Sequence, residues 1–108
     1  MEQSSYIVLL ITTPTVEEAQ RISSTLLNQK KAACVNIISP VHSLFWWQNK
    51  IDSARESLLI VKTKASLLDE VTTLVKENHS YTIPEVIALP IIGGNQDYLD
   101  WLEKSVEK

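Results

Sequence analysis

The chain has 108 residues, 44% of them hydrophobic and 21% charged, and its formal net charge at pH 7 is −3. This composition is typical of a globular protein, and the length predicts a single domain spanning residues 1–108. The charges are interspersed and no basic run exceeds Lys30-Lys31, which argues against nucleic acid or an anionic membrane surface as the main partner.

The cysteine content indicates the compartment. Cys34 is the only cysteine, which excludes an intrachain disulfide and is typical of a reducing environment. No segment approaches the length of a membrane helix, and residues 1–5 lack the basic start of a secretion signal. We therefore expect a cytoplasmic protein without a membrane partner.

The first two predicted elements are a buried strand, in the β-branched apolar run from Tyr6 to Thr13, and an amphipathic helix. One signal for the helix start is Pro14 after a Thr13 cap. The other is the capping-box spacing of Thr15 with Glu18. The apolar stripe at helical period consists of Val16, Ala19, Ile22, Ser23, Leu26 and Leu27.

Residues 32–63 predict a long β-hairpin that turns at Gln48-Asn49-Lys50. Its first arm is expected to break at Ser39-Pro40. Each arm has about 13 to 16 residues and could reach ~45–50 Å, whereas a domain of this size is only about 34 Å across. The hairpin is therefore predicted to overhang its domain or to bend sharply.

The tip of this hairpin is apolar on both faces. Because neighbouring strand residues point to opposite sides, Leu44 and Trp46 line one face, and Phe45 and Trp47 the other. Strands of this kind are normally covered on both sides, and a second copy of the chain is the simplest cover. We expect an obligate oligomer, with the two tryptophans packing in the interface; stacking on a ligand is the alternative.

The second half of the chain begins with another helix, for which Ser66 and Asp69 stand at cap spacing. A loop over residues 78–84 follows it, since Pro84 disfavours helix at the residue before it. The residues expected to form the buried stripe of this helix are Leu67, Leu68, Val71, Leu74 and Val75.

The C-terminal part predicts a fourth strand and a last helix. The strand is expected over Glu85–Ile92, with Pro90 implying an edge or a bulge. Gly93-Gly94 is expected to form a turn, and Asn95 to cap the helix through Asp97. The apolar side of that helix comprises Tyr98, Leu99, Trp101, Leu102 and Val106.

The predicted order is therefore strand, helix, two strands, helix, strand and a terminal helix. It indicates an α+β fold, the ferredoxin-like βαββαβ sandwich with an extended central β-hairpin and a C-terminal helix. Two helices cover one face of such a sheet. The other face must meet something else, which is a second reason to expect oligomerisation.

No familiar catalytic signature is present, and the two histidines stand on different elements. His79 precedes Tyr81 and Glu85, so it is a candidate metal ligand or acid/base group in a subunit cleft. The alternative is a surface or hydrogen-bonded structural histidine. His42 on the hairpin is interpreted as structural.

Two further side chains have both a functional and a structural interpretation. Cys34 is either a soft copper(I) ligand or reactive thiol, or a small buried hydrophobe. Lys62 ends an apolar run. It either places its charge in an interface or pocket, or extends along apolar surface towards water.

These residues together resemble the CutA divalent-cation-tolerance family. The segments run along nearly the whole chain in the order and spacing of the family. They are Thr12-Thr13-Pro14, residues 31–37, Trp47, Lys50-Ile51, Glu56, Lys62-Thr63, residues 79–85, Leu89-Pro90-Ile91 and Tyr98-Leu99-x-Trp101.

The resemblance implies a cytoplasmic homotrimer linked to tolerance of copper and other divalent metals, without an established reaction. The trimer shape is similar to that of PII signalling proteins, which by analogy suggests a sensor of a small ligand. The positions implied to gather around the clefts between subunits are Cys34, Trp47, Glu56, Lys62, Tyr81 and Glu85.

The chain departs from the family pattern at several positions. Ser80 and Thr82 stand in a loop that usually reads His-Pro-Tyr-Glu-Val-Pro-Glu, and Asn49 replaces the usual glycine of the hairpin turn. Ile11 and Asn78 stand where some bacterial members have a cysteine and the first histidine of a His-His pair. Asn49 tolerates a positive φ and is expected to substitute for the glycine.

The sequence is compatible with three functions. The first is a non-enzymatic trimer in divalent metal tolerance or response, binding copper or another divalent cation weakly, with His79 as the metal ligand. The second is a PII-like sensor that binds a small anionic ligand in the cleft between subunits and signals to a protein partner. The third, an enzyme using His79, Tyr81 and Glu85 as acid/base groups, lacks a nucleophile paired with a base.

Overall fold

A computed structural model describes residues 5–107. The N-terminal segment that is expected to lack a secretion signal, residues 1–5, lies outside this range except for Ser5. No helix within it combines the length and apolar character needed to cross a membrane. The elements in chain order are β1 (Tyr6–Thr13), α1 (Val16–Asn28), β2 (Cys34–Trp47), β3 (Lys50–Lys64), a 3₁₀ turn (Ala65–Leu67), α2 (Leu68–Asn78), β4 (Val86–Pro90) and α3 (Gln96–Ser105).

The four strands form one antiparallel sheet in the order β2-β3-β1-β4. This order, with the βαββαβ sequence of elements, confirms the ferredoxin-like α+β fold with its long central hairpin and C-terminal helix. β2 and β4 are the edge strands. Pro90 ends β4, in agreement with the edge position predicted for it.

The core lies between α1, α2 and one face of the sheet. On β1, Ile7, Leu9 and Ile11 alternate with more exposed residues, as expected of a strand with one buried face. The fully or nearly fully buried residues that meet there from the other elements are Ala19, Ile22, Leu26, Leu59, Val61, Leu67, Val71 and Val75. The predicted stripes of both helices are confirmed at their centres, while Leu27 is exposed.

The two helix-start predictions have different outcomes. Thr15 is the N-cap of α1, and its hydroxyl accepts a hydrogen bond from the backbone N–H of Glu18 at 3.1 Å. The alternative start at Thr13 and Pro14 is wrong. The predicted cap at Ser66 is also wrong, because a 3₁₀ turn occupies that position and α2 begins without a side-chain cap.

The hairpin is continuous, which corrects the predicted break at Ser39-Pro40. Instead of ending, β2 bulges there: Ile38 pairs with Leu58 and Val41 with Glu56, so two residues of β2 oppose Ser57 alone. Because side chains alternate with period two, the extra residue reverses the faces of the sheet. Even-numbered residues of β2 lie on the face of Lys62 before the bulge, and odd-numbered residues lie on that face after it.

The last part of the chain crosses the sheet face opposite α1 and α2, which we call the open face. Tyr6 and Lys64 point to this face, and both contact Glu103 of α3, at 3.0 and 2.6 Å. β4 is shorter than predicted, and Gly93-Gly94 lies in an irregular connection without the expected turn. Asn95 caps α3 by accepting from the N–H of Asp97, as predicted.

The hairpin extends beyond the rest of the protein, as its length predicted. The longest dimension is 44 Å, against 32 and 22 Å for the other two. At the tip, Trp46 is 73% exposed, and the neighbouring large apolar side chains that are also exposed are Leu44, Phe45, Trp47 and Ile51. Within one chain this apolar surface is uncovered.

Candidate functional site

Five of the six predicted cleft residues share the open face. The register and the alternation of β2 and β3 place four of them there, and Glu85, directly before β4, continues the alternation of Ile87 and Leu89. The five are spread along the whole length of the face. They are Cys34, Lys62, Glu56, Glu85 and Trp47. The sixth, Tyr81, reaches Glu56 from the loop after α2.

The first group on this face is acidic and consists of Glu56, Tyr81 and Glu85. The Tyr81 hydroxyl donates to Oε2 of Glu56 at 2.8 Å, and Glu56 is buried although it carries a carboxylate. Burial, then the hydrogen bond and the charge of Glu56, raise the pKa of Tyr81 to about 12. Burial and the Glu56 charge also raise the pKa of Glu85 above its usual value.

His79 lies beside this group but faces the protein. Its side chain is fully buried; Nε2 contacts the Thr12 carbonyl oxygen at 2.7 Å, and Nδ1 accepts from the N–H of Tyr81 at 3.0 Å. These contacts assign the proton to Nε2. They support the hydrogen-bonded structural interpretation of His79.

Glu18 completes the surroundings of the loop. Its Oε2 accepts from both the N–H and the hydroxyl of Ser80, at 3.0 and 3.1 Å, and lies 3.3 Å from Nδ1 of His79. The capping-box spacing therefore describes only half of what Glu18 does: Thr15 caps its N–H, while its carboxylate binds a loop 62 residues away.

The side chains that could bind a metal ion are dispersed in the part of the chain that the structure describes. No cluster of three or more His, Cys, Asp or Glu side chains in residues 5–107 could hold an ion. Both nitrogens of His79 already make hydrogen bonds, so metal coordination would require breaking one of them. The same contacts occupy both nitrogens that an acid/base role of His79 would use.

The second group on the open face surrounds Lys62. Cys34 lies directly across from Lys62 on β2, and the Lys62 ammonium donates to Oδ1 of Asn36 at 2.6 Å. The Cys34 thiol is half-buried and lies 3.9 Å from the same oxygen. Burial and the neighbouring Cys34 sulfur raise the pKa of Tyr98, which places this α3 residue against the group.

The two groups and Trp47 are too far apart to form one site within a single chain. About 20 Å of strand separate Lys62 from Glu56, and a similar length separates Glu56 from Lys50, the partner of Trp47. The structure thus joins Tyr81 with Glu56 and Glu85, and Cys34 with Lys62. Trp47 stands alone at the tip.

The comparison with known proteins identifies the family. The model of the CutA1 divalent ion tolerance protein family matches residues 7–105. The chain belongs to the CutA1 family. It is 48% identical to the divalent-cation tolerance protein CutA of Archaeoglobus fulgidus, over 92% of this chain and 96% of that protein.

Other CutA relatives agree in sequence and in structure. The chloroplastic protein CutA 1 of Oryza sativa is 48% identical over 94% of this chain. The chain spans only 58% of that protein and 60% of the chloroplastic CutA of Arabidopsis thaliana. The crystal structure of CutA1 from Oryza sativa has a TM-score of 0.95 and 46% identity, covering 98% of this chain and 97% of that chain.

Sequence reasoning missed three polar residues of this CutA chain. Asn36 stands two positions after Cys34, so strand alternation alone could have placed it on the same face. Tyr98 belongs to a family segment and to the predicted apolar side of α3, and neither pattern places its hydroxyl near Cys34. The long-range role of Glu18 has no local sequence signal, because its partner Ser80 is distant in the chain.

Proposed function

We propose that this protein is a non-enzymatic homotrimer that acts in tolerance of, or response to, divalent metal ions, copper among them. Membership of the CutA1 family is the observation that carries the proposal. The names of its relatives describe tolerance and no reaction. The occupied nitrogens of His79 give further support to a role without acid/base catalysis.

The homotrimer is supported by the surfaces that one chain leaves uncovered. The hairpin tip exposes Trp46 and Trp47 on opposite faces, and β2 and β4 are unpaired edges. Unprotected edges and apolar surfaces of this kind favour association. Association would also bring the hairpin tip of one copy towards the Glu56 and Lys62 groups on the open face of another copy.

Weak binding of copper or another divalent cation is part of the proposal. Because one chain does not supply a complete ligand set within its described residues, we place the cation between copies. The unpaired Cys34 is consistent with a reducing compartment, and we propose the cytoplasm as the location.

Calorimetric titration with copper(II) tests the direct-binding part. We expect weak binding by the wild type and unchanged affinity in the variants His79→Ala and His42→Ala. If copper binding is lost in His79→Ala but kept in His42→Ala, His79 is a metal ligand. No heat above the dilution control in the wild type would remove direct copper binding from the proposal.

A growth assay tests the physiological part. Expression of this chain in a copper-sensitive bacterial strain that lacks its own CutA protein is expected to raise the copper concentration tolerated. A variant that cannot trimerise is expected to fail. If the wild type, expressed at the same level as a folded trimer, gives no tolerance to copper, zinc or cobalt, the proposed function is wrong.

The surroundings of Lys62 favour a second candidate function, a PII-like sensor of a small anionic ligand. The ammonium group lies on the open face with a neutral amide as its partner. A thermal-shift screen against nucleotides, inorganic phosphate and small carboxylates tests this candidate, since a ligand that binds the folded state raises the melting temperature. No shift with any anion would exclude it.

A further inference from the structure

Lys62 lies on the open face between an apolar row of side chains and the row that holds Tyr6 and Lys64. It lies on β3, an interior strand, with Val8 of β1 on one side and Cys34 of β2 on the other. Leu89 of β4 lies next to Val8 in the same row. The next row along the face contributes Leu10, Ile60 and Ile87.

The charge of Lys62 is not balanced by a carboxylate. Lys31 and Lys64 each form ion pairs with glutamates, whereas the contact of Lys62 is the neutral Oδ1 of Asn36. Within residues 5–107, Lys62 has no ion pair. An ammonium group surrounded by apolar side chains gains most from an anion that it can also hydrogen-bond.

Other donors converge on the same place. Since Asn36 turns its oxygen towards Lys62, its amide nitrogen remains available to donate to a ligand. The Tyr98 hydroxyl lies within hydrogen-bond reach of the Cys34 side chain, and a tyrosine hydroxyl carries its proton at neutral pH and can donate it to a ligand. Tyr98 and Trp101 pack with ring centroids 5.3 Å apart and are both partly exposed, forming an aromatic edge beside the donors.

We propose that Lys62, Asn36 and Tyr98 bind the carboxylate group of a small molecule whose apolar body lies against the Tyr98–Trp101 edge. One ammonium, one amide and one phenol match a single negative charge shared by two oxygens. A phosphate group usually takes several cations or a glycine-rich loop, and Gly93 and Gly94 are the only glycines of the chain. The proposal rests on the sensor function and names the class of its ligand.

The test compares benzoate with benzamide, its uncharged analogue. Benzoate is expected to shift the backbone ¹H–¹⁵N resonances of Asn36, Lys62 and Tyr98 saturably. It is also expected to slow the reaction of Cys34 with a thiol reagent, because the ligand lies over that side chain. Equal effects of benzamide, or no saturable shift with benzoate, would overturn the proposal.

A matched pair of variants tests the part played by the charge. Lys62→Met keeps the length of the side chain and is expected to weaken benzoate binding ~10- to 100-fold, as for loss of a charged hydrogen-bond partner. Lys76→Met removes an exposed charge from α2, on the other side of the sheet, and is expected to have no effect. Unchanged affinity in Lys62→Met contradicts the proposal even if benzoate binds.

Two further measurements distinguish the proposed carboxylate ligand from a carboxylate of another copy and from a different anion. If Lys62→Met dissociates the oligomer while benzoate leaves wild-type Cys34 unprotected, a carboxylate of another copy is the partner of Lys62, and the proposal is wrong. If inorganic phosphate or ATP binds and benzoate does not, the carboxylate proposal fails while the sensor function survives. If no anion binds, both the carboxylate proposal and the sensor function are wrong.

Discussion

At the scale of single residues, the loop after α2 is held by buried polar groups. Glu18 accepts two hydrogen bonds from Ser80, His79 contacts the Thr12 carbonyl, and Tyr81 donates to Glu56. Buried polar groups are stable only when they are paired. The loop is therefore positioned by specific partners on α1, β1 and β3, and the conformation of the acidic group depends on them.

Replacing Glu18 with alanine should destabilise the protein by about 1–3 kcal/mol, because the N–H of Ser80 loses its acceptor. The control is Glu17→Ala, which removes an exposed carboxylate from the same first turn of α1. Chemical denaturation of both variants gives the comparison. Equal stabilities for the two would show that the Glu18 carboxylate contributes nothing beyond its place at the helix start.

Glu85→Gln should stabilise the protein at neutral pH. The pKa of Glu85 is raised in the folded state, so its contribution to stability is present at low pH and is lost as the pH rises through the folded-state pKa. The gain over wild type should stay below about 1 kcal/mol, since the group is largely exposed.

The advantage of this variant should disappear on acidification below the usual pKa of glutamate, where the wild-type carboxyl is also protonated. Melting temperatures measured between pH 3 and pH 7 test this, with Glu77→Gln on α2 as the exposed control. A stabilisation of Glu85→Gln that is independent of pH would contradict the cost of ionising Glu85, through burial and then repulsion from Glu56, as the cause.

At the scale of elements, the hairpin is shaped by a two-residue turn and a bulge. Gln48 and Asn49 both have positive φ, 50° and 63°, as a tight turn between twisted strands requires. The bulge at Ser39-Pro40 places Phe45 and Trp47 on the same face as Glu56. The side chains at the tip are therefore oriented by an irregularity in the middle of the arm.

Asn49→Val should destabilise the protein by ~1–2 kcal/mol, because a β-branched residue fits the left-handed region poorly. Asn49→Gly keeps the required φ accessible and is expected to retain or slightly raise stability. Denaturant unfolding of the two variants at equal protein concentration measures the difference. A valine variant as stable as the glycine variant would mean that the turn adopts another conformation in solution.

At the scale of the whole molecule, the hairpin and the open face leave large apolar side chains exposed in the single chain. The apolar tip lies at one end of a 44 Å molecule, and the acidic and basic groups lie at different positions along one face. Association of copies is the physical event that would cover the tip and bring these groups near one another.

Trp46→Lys should therefore weaken the proposed trimer, because it places a charge at a site that is 73% exposed in the single chain and apolar in character. Trp46→Phe keeps the apolar contact and is expected to stay trimeric. Sedimentation analysis across a range of concentrations distinguishes the two. A lysine variant that sediments like the wild type, or a wild type that is a folded monomer, would refute the assembly.

Much of the fold follows from local sequence patterns. Period-two burial in Tyr6–Thr13, the period of the helix stripes and the length of the hairpin arms depend only on neighbouring residues, so the α+β order could be predicted. The cap at Asn95 and the positive φ at Asn49 are local in the same sense.

The site could be predicted only in part. The elements, the single cysteine and the family resemblance that marks the cleft positions can all be read from the amino-acid sequence. Only the folded chain shows that the loop buries His79, that Glu18 binds Ser80, and that Asn36 and Tyr98 lie beside Lys62 and Cys34. These contacts join residues far apart in the chain, and their geometry exists only once the sheet has formed and α3 has crossed its open face.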